Sequence, residues 1–405
     1  MPGDEACPQS PFQPETAGEK ISVTTYHDDN LRTGWNGRET ALTPSAVRGG
    51  DFKLISAATV DDQVDAQPLP VSHVSIAGRG VHDVIYLATE GNSVYAIDAA
   101  TGEELLHKRL GAPVGFRSLP GQCDNNGPNV GIDSTPVIDP SSNTMYAVAY
   151  AMESGVPTFR IHALDLSTLA DKVQPTAVAA SAVLNDGATY EFSAASDRQR
   201  SALLLSHGNV YAGFGSFCDQ SQSTARGWVL GWQANSLSPL PGNHLNNALA
   251  HSSNDAFLTG VWMSGYSLAA DDGGDVYFAT SNSDYSGTSY SAVTNLSESV
   301  VELSSDLRAV KSYFSPPGVG EMDRWDGDLG AGGVMLLPKQ RGSLSSFAET
   351  AGKSGILYLL DAADLGHDRN AADRRATSAA TPISCPQWPT AGSTSQATGR
   401  CRSSA

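Results

Sequence analysis

The chain has 405 residues and a formal net charge of −18, but only 17% of its residues are charged, while it contains 40 glycines and 22 prolines. The acidic balance argues against nucleic acid and anionic membrane surfaces as partners, because both attract a basic footprint. A hydrophobic content of 40% allows a core, and many Gly and Pro residues with few charges favour strands joined by turns over helices.

The N-terminal part of the chain gives weak signals. Residues 1–20 are rich in Pro, Gly and Glu without periodicity, so we predict a flexible lead-in without a signal-peptide pattern. Ile21–Tyr26 and Phe52–Val60 have strand character, with a polar loop after the first of them. No apolar run reaches the about 18 to 20 residues that a membrane-spanning helix needs, so no membrane span is predicted.

The stretch Val84–Leu110 gives the first clear pattern, three short strands separated by two tight turns. Its β-branched, aromatic and aliphatic residues suit a half-buried pleated surface. Gly91-Asn92 supplies the first turn because both residues tolerate a positive φ, and Gly102 ends the second. Such a unit has an apolar face and bare edges, so it needs neighbouring sheets.

The chain repeats this unit at intervals of about 60 to 70 residues. Each copy has a central strand, a strand before it and a third strand further upstream. The central strands are VYAIDA, IHALDL, VLGWQA, VVELSS and LYLLDA, starting at Val94, Ile161, Val229, Val300 and Leu357.

This repeat predicts an all-β protein, a β-propeller with four-stranded blades, rather than a two-sheet sandwich. Five blades are clear, and a sixth could be assembled from Ile21–Tyr26 and Phe52–Val60. We place the propeller at residues 21–365. The repeat pattern stops after Leu365, so residues 366–405 are predicted to be a disordered or non-native tail, and an incomplete ring remains an alternative.

Several stretches resemble one known superfamily. VYAIDAATGEELLHKRL is similar to the repeat motif of the quinoprotein alcohol dehydrogenase-like propellers, which bind pyrroloquinoline quinone (PQQ). TTYHDDNLRTGWN, GIDSTPVID, RGWVLGW, SLAADDGGDVYFATSN and DRWDGDLGAGG extend the resemblance over roughly residues 22–365. The nearest likeness is to uncharacterised bacterial PQQ-like repeat proteins. A fold does not fix a function, so the resemblance implies the architecture more strongly than an activity.

The resemblance implies a site in which PQQ lies beside Ca²⁺ bound by Glu, Asn and a catalytic-base Asp. Asn282 matches the Asn ligand, and Asp219 lies near the place of the Glu. Thr294, followed by Asn295, occupies the place of the base, and a threonine hydroxyl has no suitable pKa. Ca²⁺ prefers six to eight oxygen ligands including carboxylates. We therefore interpret Asn282, Asp219 and Asn295 as vestigial and predict no catalytic residue and no bound cofactor, with PQQ and Ca²⁺ as the alternative.

Two further groups of residues remain candidates. Asp323, Asp326 and Asp328 precede the fifth blade and either cap turns or form a weak Ca²⁺ site. In the resemblance, Cys123 stands where the family has two adjacent cysteines. Cys123 and Cys218 lie in loops of neighbouring blades and could form a disulfide in an exported protein, provided that their Cα atoms are within about 7 Å.

The sequence thus predicts an exported propeller, extracellular or periplasmic, that acts as a non-catalytic binding or scaffold module. Its partner would be an unidentified protein or small molecule. The alternative is a PQQ- and calcium-dependent alcohol dehydrogenase with divergent ligands. No residues for a hydrolase or a lyase are found.

Overall fold

A computed structural model describes residues 22–50, 52–124, 127–283, 291, 293–342 and 344–368, and the backbone of 381–384. The predicted lead-in, residues 1–20, lies outside the described residues, as does most of the predicted tail. Cys385 and Cys401 also lie outside them.

Five sheets with four antiparallel strands each follow one another along the chain, and we number them as blades 1 to 5; the sheets of blades 3 and 4 each have one additional strand. Blade 1 consists of Leu69–Ile76, Gly80–Ala88, Ser93–Asp98 and Glu104–Arg109, and blade 2 of Val137–Asp139, Thr144–Glu153, Val156–Asp165 and Thr176–Ala177. Blade 3 consists of Leu204–Ser206, Asn209–Ser216, Trp228–Gln233 and His244–Leu245. Blade 4 consists of Ala269–Ala270, Val276–Ala279, Val300–Leu303 and Val310–Ser315, and blade 5 of Val334–Leu336, Phe347–Ala351, Ile356–Asp361 and Thr381–Ser384.

The predicted repeat is confirmed, because each predicted central strand is the third strand of its blade. In blade 1, Val84 pairs with Asp98 across the predicted first turn. Asn92 adopts a φ of 60° there, and Gly102 adopts 76° in the second turn. The Asp98 carboxylate accepts hydrogen bonds from the backbone of Ala100 and Thr101 in that second turn, as a turn aspartate does.

Neighbouring blades pack face to face through the residues that alternate along their strands. Val84, Tyr86 and Val94 of blade 1 share one apolar cluster with Met145 and Leu164 of blade 2. The tyrosine of the second strand recurs in this packing, since its hydroxyl donates to the turn after the third strand of the next blade. Such bonds join Tyr86 to Leu166, Tyr211 to Ser305 and Tyr277 to Ala362.

Residues 22–34 form no strand but lie across the first strands of all five blades. Their contacts with blades 1 to 5 run through hydrogen bonds with Pro70, Ile138, Leu205, Ala270 and Leu336 in that order. The fully buried Arg32 secures the segment by donating to the carbonyl of Leu268 and to the Thr25 hydroxyl. The segments predicted to start a sixth blade therefore do something else, because 22–26 joins five blades and 52–60 contains no strand.

The remaining elements are short. Helices span Pro44–Gly49 and Val319–Trp325, and 3₁₀ turns span Phe116–Ser118, Pro120–Gln122, Met263–Gly265 and Leu329–Ala331. Extra strand pairs are Val114–Gly115 with Asn129–Val130, and Ser181–Val183 with Thr189–Glu191. Asp197–Gln199 joins blade 3, and His367–Asp368 runs parallel to the last strand of blade 4. None of the helices in the described residues is long and apolar enough to cross a membrane.

Candidate functional site

A cleft opens where the second strands of blades 3, 4 and 5 end. The connections that lead from blade 3 to blade 4 and from blade 4 to blade 5 also line the cleft. The cleft has a volume of about 200 Å³ and is lined by Gly215, Ser216, Cys218, Asp219, Leu258, Gly260, Trp262, Ser281, Asn282, Asp326, Asp328 and Lys353. Three blades thus contribute polar side chains to a single concave site, which is the arrangement of a small-molecule site.

An aromatic ring and a disulfide form one part of the cleft wall. The indole of Trp262 comes from the connection between blades 3 and 4, where it is half-buried. Cys218 follows the second strand of blade 3 and is bonded to Cys123, with 5.7 Å between the Cα atoms. The next residue, Asp219, accepts a hydrogen bond from the Ser216 hydroxyl at 2.6 Å, which holds its carboxylate at the cleft.

Two aspartates and one lysine form the opposite, charged part of the lining. The Lys353 ammonium lies 2.7 Å from Asp326 and 2.9 Å from Asp328. Burial lowers the pKa of Lys353, but hydrogen bonds to both carboxylates outweigh this effect, so the pKa is raised. Asp328 has 13% of its side chain exposed against 58% for Asp326. Burial raises the pKa of Asp328, and the hydrogen bond from Lys353 opposes the rise.

Asn282 ends the second strand of blade 4 and lies beside Asp328. Its backbone N–H donates to the Asp328 carboxylate at 3.3 Å, and only 2% of the residue is exposed. The amide nitrogen of Asn282 and the hydroxyl of Ser281 are buried without a hydrogen-bond partner. Unsatisfied buried polar atoms cost free energy, so two such atoms at the wall of a cleft indicate groups that a ligand would satisfy.

A buried glutamate lies behind the cleft. Glu298 is fully buried, and its Oε2 accepts the backbone N–H of Leu329 at 2.5 Å. Its Oε1 has no hydrogen-bond partner. Burial, followed by the charge of Asp328, raises the pKa of Glu298 to about 9. The raised pKa means that the Glu298 carboxyl is neutral at a pH where an ordinary glutamate is ionised.

The structure places only some of the predicted site residues at the cleft. It brings Asn282, Asp219, Asp326 and Asp328 to the cleft. Thr294, predicted at the place of the base, does not line it. The two other candidates, Asn295 and Asp323, are buried in hydrogen bonds to the chain itself: Asn295 with Thr259 and Ser283, and Asp323 with Ser283 and Ser297. Asp328 stands next to Asn282 in the cleft, and Asp219 is a second acid group among the lining residues. The absence of a catalytic residue stays a prediction.

Trp262 and Lys353 are among the lining residues that sequence reasoning missed. Lys353 lies in the turn between the second and third strands of blade 5. The available signal was the repeat itself, since Lys353 follows the second strand of blade 5 as Asn282 follows that of blade 4. Trp262 lies in a connection with no repeat pattern, so only the folded chain shows its place.

A second group of carboxylates lies outside the cleft. Oxygens of Asp65, Glu90 and Asp133 are all within 4.8 Å of one another, which holds for no other three acidic, Cys or His residues in the described part of the chain. Arg198 and Arg200 pair with Asp133 at 2.5 Å and 3.2 Å. Two guanidinium groups beside these carboxylates oppose a metal ion at this place.

Comparison with solved structures shows where this architecture occurs. A quinohemoprotein alcohol dehydrogenase from Comamonas testosteroni superimposes with a TM-score of 0.59 at 16% identity, over 85% of this chain and 48% of that one. A europium-containing methanol dehydrogenase gives 0.55 at 13% identity, over 84% and 56%. This chain therefore shares the fold of these two dehydrogenases.

The quinohemoprotein alcohol dehydrogenase ADHIIG from Pseudomonas putida HK5 gives a TM-score of 0.50 at 17% identity, over 76% of this chain and 42% of that one. The chain therefore spans about half the length of these quinoprotein structures. No protein-family profile and no curated protein sequence matches it.

The cleft residues fit the cofactor pair that the quinoprotein resemblance implies. Asp219, Asn282 and Asp328 provide two carboxylates and one amide, oxygen donors of the kind that Ca²⁺ binds. Burial disfavours the ionised form of the Asp328 carboxyl, and a cation bound beside it would offset that effect. The unsatisfied Asn282 nitrogen and Ser281 hydroxyl could donate to the carbonyl and carboxylate oxygens of a quinone.

Proposed function

We propose that the cleft is the cofactor site of a quinoprotein-type oxidoreductase that takes PQQ and a divalent cation and oxidises an alcohol. One observation carries this proposal. The half-enclosed carboxylate of Asp328 lies beside Asn282 in a cleft that also holds Trp262, in a fold shared with an alcohol dehydrogenase and a methanol dehydrogenase. The chemistry that the group supplies when bound is acceptance of two electrons from the alcohol.

Asp328 is the residue best placed to take the proton of the substrate hydroxyl. An effective general base has a pKa near the working pH, and burial moves the pKa of Asp328 upwards from that of an ordinary aspartate. Lys353 keeps the carboxylate ionised through its 2.9 Å contact and so prevents the shift from becoming too large. Asp326 shares this lysine but is mostly exposed, so we assign it to the rim.

Asp219, Asn282 and Asp328 would hold the cation, and Trp262 with the neighbouring disulfide would bound the flat cofactor. Asp219 belongs to blade 3 and Asn282 to blade 4. Asp328 lies in the connection after blade 4, and Trp262 lies in the connection before it. Because Asp219 and Asn282 follow the second strands of packed sheets, this part of the site is supported by rigid elements, which is what precise positioning requires.

The direct test is reconstitution of the purified chain with PQQ and Ca²⁺, followed by dye-linked oxidation of primary alcohols. We expect turnover in the wild type and at least about a hundredfold loss in Asp328→Asn, which removes a base while keeping the shape. The control Asp272→Asn removes an exposed carboxylate outside the cleft and should keep full activity. Equal activity in Asp328→Asn and wild type would refute the assigned role, and no turnover in any preparation would refute the enzymatic function.

A non-catalytic binding module is the second candidate, and Lys353 is the observation that favours it. Its ammonium bridges Asp326 and Asp328 and so occupies part of the space where a cation would approach these carboxylates. In that case the cleft would bind PQQ or another flat anion without turnover. Binding of PQQ that is independent of Ca²⁺, together with absent dye reduction, would support the module.

We also propose that the protein is exported to an extracellular or periplasmic location. The supporting observation is the Cys123–Cys218 pair, which joins parts of the chain separated by 95 residues. Disulfides persist in oxidising compartments and are rare in reducing ones. Mass spectrometry of alkylated protein from native cells should show the two cysteines linked, and two alkylated thiols would contradict export.

A further inference from the structure

Behind the cleft, the fully buried Arg198 connects the cleft wall to the second group of carboxylates. Its guanidinium carbon lies 4.9 Å from the centre of the Trp262 ring, within the range of a cation–π contact. Its Nη1 approaches the sulfur of Cys123 at 3.9 Å. On its other side, Nε and Nη2 donate to one oxygen of Asp133 at 2.8 and 2.5 Å. Arg198 thus touches both the indole and the disulfide that bound the cleft.

Beyond Asp133 lies a buried carboxyl group with incomplete hydrogen bonding. Glu90 is fully buried, and its Oε2 accepts the backbone N–H of Gly131 at 2.6 Å. Its Oε1 has no partner, and its carboxylate is within 4.8 Å of those of Asp133 and Asp65. The half-buried Asp65 accepts a hydrogen bond from Gln63 near the surface. The contacts therefore run from solvent to the cleft through Asp65, Glu90, Asp133, Arg198 and Trp262.

We propose that Arg198 is a positioning residue for the cleft, through which the protonation state of Glu90 controls the placement of Trp262. The proposal rests on the proposed function in one respect, that the cleft bounded by Trp262 is the ligand site. It adds a pH-dependent element that does not touch the ligand.

The charges around Glu90 explain why its carboxyl group changes protonation state with pH. Three elements face it: the segment before blade 1 with Asp65, the connection to blade 2 with Asp133, and the segment before blade 3 with Arg198. Burial and then the charge of Asp133 raise the pKa of Glu90, while Arg198 opposes the rise. Arg200 pairs with Asp133 as well. Glu90 is therefore neutral where ordinary glutamates are ionised, and it ionises as the pH increases.

Ionisation of Glu90 would act on Trp262 through Arg198, the closer of two guanidinium groups at the ring, since Arg200 also pairs with Asp133 and lies 5.9 Å from the ring centre. A second negative charge next to Asp133 attracts Arg198 towards the carboxylates, and charges interact strongly in a buried environment. This attraction weakens the contact between the guanidinium and the indole. Ligand affinity should then fall as Glu90 ionises, because one bounding surface of the cleft loses its support.

The test uses the full chain without ligand, labelled with 5-fluorotryptophan, and follows its ¹⁹F NMR spectrum with pH. Trp262→Phe identifies the resonance of residue 262. We expect that resonance to titrate with a midpoint above the about 4.3 of an ordinary glutamate, and to stop titrating in Glu90→Gln, which keeps an acceptor for Gly131. Glu349→Gln replaces a half-buried glutamate of blade 5 and is the matched control; it should leave the titration unchanged.

Arg198→Lys distinguishes positioning from simple packing. Lysine retains the charge but cannot donate two parallel hydrogen bonds, so we expect a folded protein whose residue-262 resonance is displaced and whose titration is at least halved. In the wild type the PQQ dissociation constant should rise about tenfold across the same midpoint, and in Glu90→Gln it should not. An unchanged titration in Glu90→Gln overturns the proposal. Absence of PQQ binding with a normal ¹⁹F titration would overturn only the proposed function.

Discussion

The junctions between blades 1 and 2 and between blades 4 and 5 are built alike and used differently. In each, a fully buried glutamate from the connection between second and third strands accepts a backbone N–H from the connection to the next blade. Glu90 accepts from Gly131, and Glu298 accepts from Leu329. At the first junction the neighbouring Asp133 is neutralised by arginines in the interior, whereas at the second Asp328 meets Lys353 in an open cleft.

The difference shows how a repeated fold makes a site without changing its framework. Both junctions share a hydrogen bond between a buried glutamate and a backbone N–H, whereas the charged residues around this bond differ. At the first junction the fully buried Arg198 fills the space, and the junction is structural. At the second junction the partly exposed Lys353 lies at the edge, and a cleft remains. Four sets of variants test the difference between the two junctions.

Removing the positively charged side chain should lower the stability of the fold strongly at the first junction and only slightly at the second. Arg198→Met removes the two hydrogen bonds that Arg198 donates to the buried Asp133, and we expect a loss of about 3–5 kcal/mol in the free energy of unfolding. Lys353 has 45% of its side chain exposed, so Lys353→Met should cost about 1 kcal/mol or less. Urea unfolding measures both. Equal losses in the two variants would contradict the contrast between the junctions.

The disulfide connects the two regions, because Cys123 contacts Arg198 and Cys218 lines the cleft. Replacing both cysteines by serine should lower the free energy of unfolding by about 2–5 kcal/mol, since the bond closes a long loop of the unfolded chain. Wild-type protein unfolded in the presence of a reductant provides the matched control and should show the same loss. A double variant as stable as the oxidised wild type would show that the pair is not bonded.

Glycines at both junctions allow the backbones to approach closely. A Cβ at Gly131 would lie 2.4 Å from the carbonyl oxygen of Glu90, and one at Gly330 would lie 2.6 Å from the backbone nitrogen of Ser281. Gly131→Ala and Gly330→Ala should each reduce stability by about 1–3 kcal/mol. Gly115→Ala is the matched control, because Gly115 also lacks a positive φ and its Cβ would make only an ordinary contact of 3.9 Å with Pro128. Alanine variants at the junctions that are as stable as Gly115→Ala would contradict this packing.

The buried carboxyl at the second junction should make stability depend on pH. Because the pKa of Glu298 is raised in the folded state to about 9, its contribution is complete below the unfolded pKa of about 4.3 and is lost as the pH rises to about 9. Glu298→Gln keeps an acceptor for Leu329, so its unfolding free energy should fall less between pH 6 and 9, by about 1 kcal/mol or more. The exposed Glu103→Gln should keep the wild-type slope, and an identical slope in Glu298→Gln would refute the assignment.

The sequence could predict the blades because their signal is local and repeated. Strand-forming segments recur at similar spacing in each copy, so strand order followed from the pattern. The path of residues 22–34 could not be predicted, because its contacts with Leu205, Ala270 and Leu336 join residues far apart in the chain.

The candidate site was predictable only in part for the same physical reason. Asn282 and Asp219 could be placed by their resemblance to known motifs, but the choice between Asp323, Asp326 and Asp328 depends on a helix end. The helix Val319–Trp325 turns Asp323 into the interior, whereas Asp326 and Asp328 follow it with left-handed backbone angles and reach Lys353. No spacing rule in a single sequence distinguishes these orientations.

Isothermal titration of the purified chain with PQQ, in the presence and absence of Ca²⁺, tests the central claim that the cleft is a cofactor site. We expect one PQQ per chain, tighter binding with Ca²⁺, and at least about a tenfold loss of affinity in Asn282→Ala, which removes an amide from the cleft wall. Saturable binding that Asn282→Ala leaves unchanged, or no binding with and without Ca²⁺, would contradict the account.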